Sequence, residues 1–118
     1  MDINETLNEF VELFVEKDFR DRFLHEAKKR PRDLHTRICH RIEKIFGSKY
    51  IGGSVSYQPE DKCLVLSGSK IEETTWALAE QQMGMGGGLL VIDATGRKFY
   101  AETEAELRHP SKVYCGHS

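Results

Sequence analysis

Gly84-Met85-Gly86-Gly87-Gly88-Leu89-Leu90-Val91-Ile92-Asp93-Ala94-Thr95-Gly96-Arg97-Lys98-Phe99-Tyr100-Ala101 is the stretch whose reading decides the fold. Four consecutive apolar residues, Leu89 to Ile92, are too few for a buried helix and suit a strand covered on both faces. Asp93-Ala94-Thr95-Gly96 reads as a turn, and Lys98-Phe99-Tyr100-Ala101 as the returning strand. This is an antiparallel hairpin. The glycines ahead of it invite comparison with a phosphate loop. Such a loop follows a strand and opens a helix, so that free N–H groups point at the anion. Here the order is reversed, and no Lys-Ser or Lys-Thr pair follows. The run reads as a flexible entry into a strand, with Met85 as an adaptable exposed contact.

Upstream, Ile51, Gly53, Val55 and Tyr57 alternate with small or polar residues. Gln58-Pro59-Glu60-Asp61 is a turn, and Cys63-Leu64-Val65-Leu66 a second returning strand. Between the hairpins, Ser69 with Glu72 matches a capping box, which predicts a helix through Ile71, Leu78 and Ala79 to Met83. Downstream, Thr103 and Glu106 are expected to cap one helical turn before His109-Pro110. Lys112-Val113-Tyr114 is left as a short edge strand.

Residues 1–47 are helical in pattern. Ile3, Leu7, Phe10, Val11, Phe14 and Val15 recur every three or four residues, and Phe19, Phe23, Leu24 and Ala27 continue after a break near Lys17-Asp18. Pro31 forces the preceding residue out of the helical region. Asp33 then serves as N-cap of a helix carrying Leu34, Ile38, Cys39, Ile42, Ile45 and Phe46, which Gly47 closes. The expectation is one α+β domain over 1–118. Its helical part, 1–47, packs on a small, mainly antiparallel four-stranded sheet within 48–118, made of two hairpins separated by a helix.

Composition narrows the class. With 39% hydrophobic and 31% charged residues at net charge −2, the chain lies far from the disordered regime. The longest apolar run falls well short of the ~20 residues a membrane helix needs. The start Met1-Asp2-Ile3-Asn4-Glu5 is acidic where a secretory signal is basic. A cytoplasmic location, no membrane contact and three reduced thiols at Cys39, Cys63 and Cys115 are expected. Charge is uneven: residues 1–16 carry −5 and residues 17–46 carry +5.

Each candidate chemistry has a plain structural alternative. His35 and Cys39 share a helix face, and Cys115 and His117 are two apart. Four such ligands could hold zinc, but the spacing matches no zinc pattern, so no metal and no cofactor is expected. A thiol nucleophile from Cys39 with His35 or His40 would lie on a helix whose stripe is otherwise apolar, and no oxyanion donor can be named for it. Glu72 and Glu73 read as helix-end acids, and Glu102, Glu104 and Glu106 as a solvated connection. Trp76 is either a core ring or an exposed anchor, and a lone Trp favours the core.

The strongest asymmetry is the basic stretch 28–44, in which Arg37, Arg41 and Lys44 form a helical ridge. The function expected is a small protein-binding module: a bacterial immunity or inhibitor protein, of the toxin–antitoxin kind, that covers a toxin's or enzyme's site. Arg30, Arg32, Arg37 and Arg41 are its contact residues. The first alternative is a nucleic-acid-binding accessory protein using the same stretch. The second is an enzyme of unknown reaction built around His35, Cys39 or His109. No catalytic residue is assigned, and no motif identifies a family or an oligomeric state.

Overall fold

The computed structural model describes residues 1–47 and 54–118. The first helix, α1 (Ile3–Phe14), starts at Asp2, whose carboxylate accepts the Glu5 N–H. Its Leu7, Phe10, Val11 and Phe14 are buried as their spacing predicts, while Ile3, in the first turn, stays exposed. Val15 turns extended, and one 3₁₀ turn (Lys17–Phe19) leads into α2 (Arg20–Lys29). Pro31 occupies the first turn of α3 (Pro31–His40), where its missing N–H costs nothing. The helix expected to begin after an Asp33 cap therefore starts three residues earlier, with Arg30 in the cap position. It is also two helices: Arg41 leaves the helical region (φ −141°, ψ 39°), and α4 (Ile42–Phe46) follows before Gly47 at φ +72°.

The class is α+β with an antiparallel sheet, but among the described residues the sheet has five strands rather than four. The strands are β1 (Lys62–Ser67), β2 (Lys70–Thr75), β3 (Gly87–Asp93), β4 (Lys98–Glu104) and β5 (Val113–His117), in the order β2-β1-β3-β4-β5. The hairpin of Leu89–Ile92 with Phe99–Ala101 forms as read, with Leu90 opposite Ala101 and Ile92 opposite Phe99. The edge strand at Val113 also forms, and runs on to His117 beside β4.

The other hairpin differs. Ile51 and Gly53 of the expected first strand lie outside the described residues, and residues 54–58 form no strand. The partner of β1 is instead β2, on residues read as helix. Ser67 pairs with Lys70 across Gly68-Ser69. Gly68 sits at φ +75° with Ser69 at negative φ, the two-residue loop whose twist matches a hairpin. That turn outweighs the capping signature of Ser69 and Glu72. The helix shrinks to α5 (Trp76–Glu80), with Thr75 Oγ1 accepting the Leu78 N–H. Glu72 and Glu73 are thus strand residues, and Glu104 ends β4, so no helical turn follows Thr103.

The pleat sends alternate side chains to two cores. Leu64, Leu66, Leu90, Ile92, Phe99, Ala101 and Tyr114 meet the apolar faces of α1 to α4, where the Phe46 and Phe99 rings stack at 4.6 Å. On the other face Cys63, Val65, Leu89 and Val91 meet Trp76 and Ala79 of α5, with Val55 and Tyr57 packed against them. Trp76 is fully buried and stacked on Tyr57 at 4.4 Å, which makes it core. Glu102 is buried rather than solvated. Its carboxylate accepts the Tyr100 hydroxyl at 2.7 Å and the Gly84 N–H at 2.9 Å, which fastens the glycine loop to β4.

Candidate functional site

The basic stretch folds into the paired helices α2 and α3, and its arginines do different work. Arg37 lies on the inner side of α3. Its Nε donates to both carboxylate oxygens of Glu26 on α2, at 2.6 and 3.0 Å. Glu26 is buried, so the pair neutralises a carboxylate that water cannot reach. The guanidinium also lies over the Phe19 ring, 5.5 Å from its centroid. Arg37 keeps 28% of its side chain exposed, and among the described residues its two terminal amino groups have no hydrogen-bond partner. Arg37 is therefore a fixed guanidinium, held from behind, with donors to spare.

Two adjoining hollows share Arg37 and Asp33. One, of about 330 Å³, runs along α3 past Thr36 to His40 and Arg41. The other, of about 390 Å³, opens toward α2 and is lined by Arg22, His25 and Arg30 with Asp21 and Glu26. The structure thus brings Arg30, Arg37 and Arg41 onto one shallow groove. Arg32 lines neither hollow and projects with Lys28 and Lys29 from the α2–α3 corner. Carboxylates temper the groove: Arg30 faces Asp33 at 4.0 Å, and Asp21 and Glu26 offset Arg22 and Arg37. The positive excess is at the Arg41 end, a narrower feature than the ten basic residues of 17–46 suggest.

A third cleft, of about 290 Å³, lies between α3–α4 and the segment after β4. Cys39, His40, Glu43, Glu104, His109 and Lys112 are among its lining residues. Most of these groups are paired with one another: His40 with Glu104 at 3.3 Å, Lys112 with Glu43 at 3.3 Å, and the Tyr114 hydroxyl donating to Glu43 at 3.0 Å. Burial pushes the Cys39 thiol above its ordinary range, and the negative charge of Glu104 pushes it further. That is the reverse of what an activated nucleophile requires. Cys39 Sγ lies 3.7 and 3.8 Å from the two nitrogens of His35, and His35 Nε2 is 3.1 Å from the Gly88 carbonyl oxygen.

The zinc set read from sequence does not assemble. Cys39 and His35 sit on the helix-covered face of the sheet against β3. Cys115 and His117 alternate with Tyr114 and so occupy the opposite face. Among the described residues no group of three His, Cys, Asp or Glu side chains is placed to hold a metal, and no helix is long and apolar enough to cross a membrane.

Comparison with known family models, curated proteins and solved structures finds no match. The groove therefore stands on its own geometry. Sequence reading chose its arginines by charge and helical spacing. It missed that Glu26 holds Arg37, because a pair eleven residues apart across two helices leaves no periodic trace.

Proposed function

We propose that this protein works by binding another protein and covering part of its surface, as a small inhibitor or immunity protein does. Arg30, Arg37 and Arg41 receive an acidic region of that partner. The observation that carries the reading is the immobilised Arg37. A guanidinium fixed by Glu26 and Phe19 loses little freedom on binding, and its unused donors suit a carboxylate. Arg41 adds an exposed charge alongside it, which steers an acidic partner and is screened by salt. A cytoplasmic setting and a toxin as the covered partner belong to this proposal.

The test leaves Arg37 in place, since its loss would disturb the helices. Tagged wild-type protein and an Arg30→Glu/Arg41→Glu variant are used to capture binding proteins from the cells that make the chain. A protein held by the wild type in low salt should be lost by the variant. Identical captured sets would end this reading. The exposed corner Lys28-Lys29-Arg30-Arg32 favours a second reading, nucleic-acid binding. It requires a mobility shift with RNA or duplex DNA at low salt, weakening steeply as salt rises.

A further inference from the structure

Among the described residues the sheet ends on β2 at one side and on β5 at the other. The register of β5 on β4 fixes which way each backbone group of β5 points. The Thr103 N–H donates to the Lys112 carbonyl at 3.0 Å, and the Ser118 N–H to the Arg97 carbonyl at 2.9 Å. Lys112, Tyr114, Gly116 and Ser118 therefore turn their backbone groups toward β4. Val113, Cys115 and His117 turn theirs outward, and among the described residues these N–H and C=O groups have no hydrogen-bond partner. Their side chains stand on the α5 side of the sheet, with Val113 and Cys115 half-buried and His117 exposed.

An open edge is a template for another strand, and chains that stay single blunt it with charge, proline or a bulge. The two edges of this sheet differ in that respect. On β2 stand Lys70, Glu72 and Glu73, all exposed. On β5 there is no such device. Its residues are Val113, Tyr114, Cys115, Gly116 and His117, without a Lys, Arg, Asp, Glu or Pro, and their pairing with β4 runs unbroken by a bulge.

We infer that β5 pairs antiparallel with β5 of a second copy of this chain, joining two sheets into one about a twofold axis at Cys115. A second copy fits better than a foreign strand because β5 is complementary to itself. With Cys115 opposite Cys115, Val113 of each copy faces His117 of the other, and every outward N–H meets an outward C=O. No other register sets all three outward residues opposite one another. In this one Tyr114 lies opposite Gly116, a large residue against one without a side chain, and no two charged residues are opposed. The charges on β2 disfavour the alternative of β5 adding to β2 of a further copy, which would build an open filament instead of a closed pair. This surface is separate from the arginine groove, and the inference does not depend on the protein-binding reading above.

Amide hydrogen exchange read residue by residue by NMR, on the full chain at low and high concentration, tests the register. In dilute protein Tyr114 and Gly116 should be protected by β4 while Val113, Cys115 and His117 exchange freely. At about 0.5 mM those three should slow by about tenfold or more, as sedimentation equilibrium shows a dimer forming. A short bis-maleimide should then link the copies through Cys115, the half-exposed thiol, Cys39 and Cys63 being buried. Cys115→Lys, which opposes two ammonium groups on the axis, should give a folded monomer by circular dichroism, whereas Cys115→Ser should still dimerise. If Cys115→Lys fails to fold, the exchange pattern and the cross-link decide. A chain still monomeric at the high concentration overturns the inference. So does a dimer whose three outward amides exchange freely, whose Cys115 thiols do not link, or which Cys115→Lys leaves intact. Growth beyond the dimer overturns the closed pair, and a dimer that dissolves as salt rises assigns the contact to the charged helices instead.

Discussion

Arg37 and Arg41 look alike in sequence, four residues apart on one helix, yet they should behave differently when removed. Arg37→Ala leaves Glu26 buried and unpaired. It should cost about 2–3 kcal/mol of stability, below the range for a fully buried pair because Arg37 is partly exposed. Arg41→Ala removes a solvated charge and should change stability by no more than about 0.5 kcal/mol. Urea midpoints of the two variants check this, and equal midpoints would mean that the Glu26–Arg37 pair contributes nothing. Helical spacing does identify which arginines lie on one ridge. It does not separate a charge aimed at a partner from one aimed at a buried glutamate, since that depends on which helix packs alongside.

At the scale of elements, two glycines hold the sheet in different ways. Gly68 makes the tight turn from β1 to β2 at φ +75°, and a Cβ there would meet nothing. Gly88, the second residue of β3, sits at φ +80° against α3, where a Cβ would collide with Cys39 Sγ. Gly68→Ala should cost about 1 kcal/mol of backbone strain alone. Gly88→Ala should cost a further 1–3 kcal/mol or so for overpacking. Cys39→Ala should recover most of that additional cost, giving a non-additive double-mutant cycle by urea denaturation. Strict additivity would show that α3 does not press on β3 at this point. The β3–β4 hairpin was readable because an apolar run bounded by turn residues has few alternatives. The β1–β2 hairpin was not. Ser69-Lys70-Ile71-Glu72 satisfies a helix cap and a hairpin exit equally well, and pairing with β1 decides between them. The segment after β4 is ambiguous for the same reason: Thr103 and Glu106 fit a cap, but Thr103 bonds to Lys112 instead.

Across the whole molecule, β1 and β3 send alternate residues to the two cores, Leu64 and Leu66 to one side, Cys63 and Val65 to the other. Loss of either core therefore exposes one face of strands that the other core also needs. Unfolding by urea should therefore be one transition. Trp76 fluorescence, reporting the smaller core, should coincide with far-UV circular dichroism, which is dominated by α1 to α3 on the opposite face. A fluorescence change at clearly lower urea would show that α5 and its neighbours open independently. By itself, the sequence determined the α+β class, the helical first third, the central hairpin and the uneven charge, because hydrophobic period, proline and glycine act over a few residues. The tertiary structure alone decided that residues 70–75 are a strand, that Glu102 and Glu26 are buried, that Arg37 is held from behind, and that Leu107 stands clear of both cores. Each of these depends on partners far along the chain, whose distance no local pattern encodes.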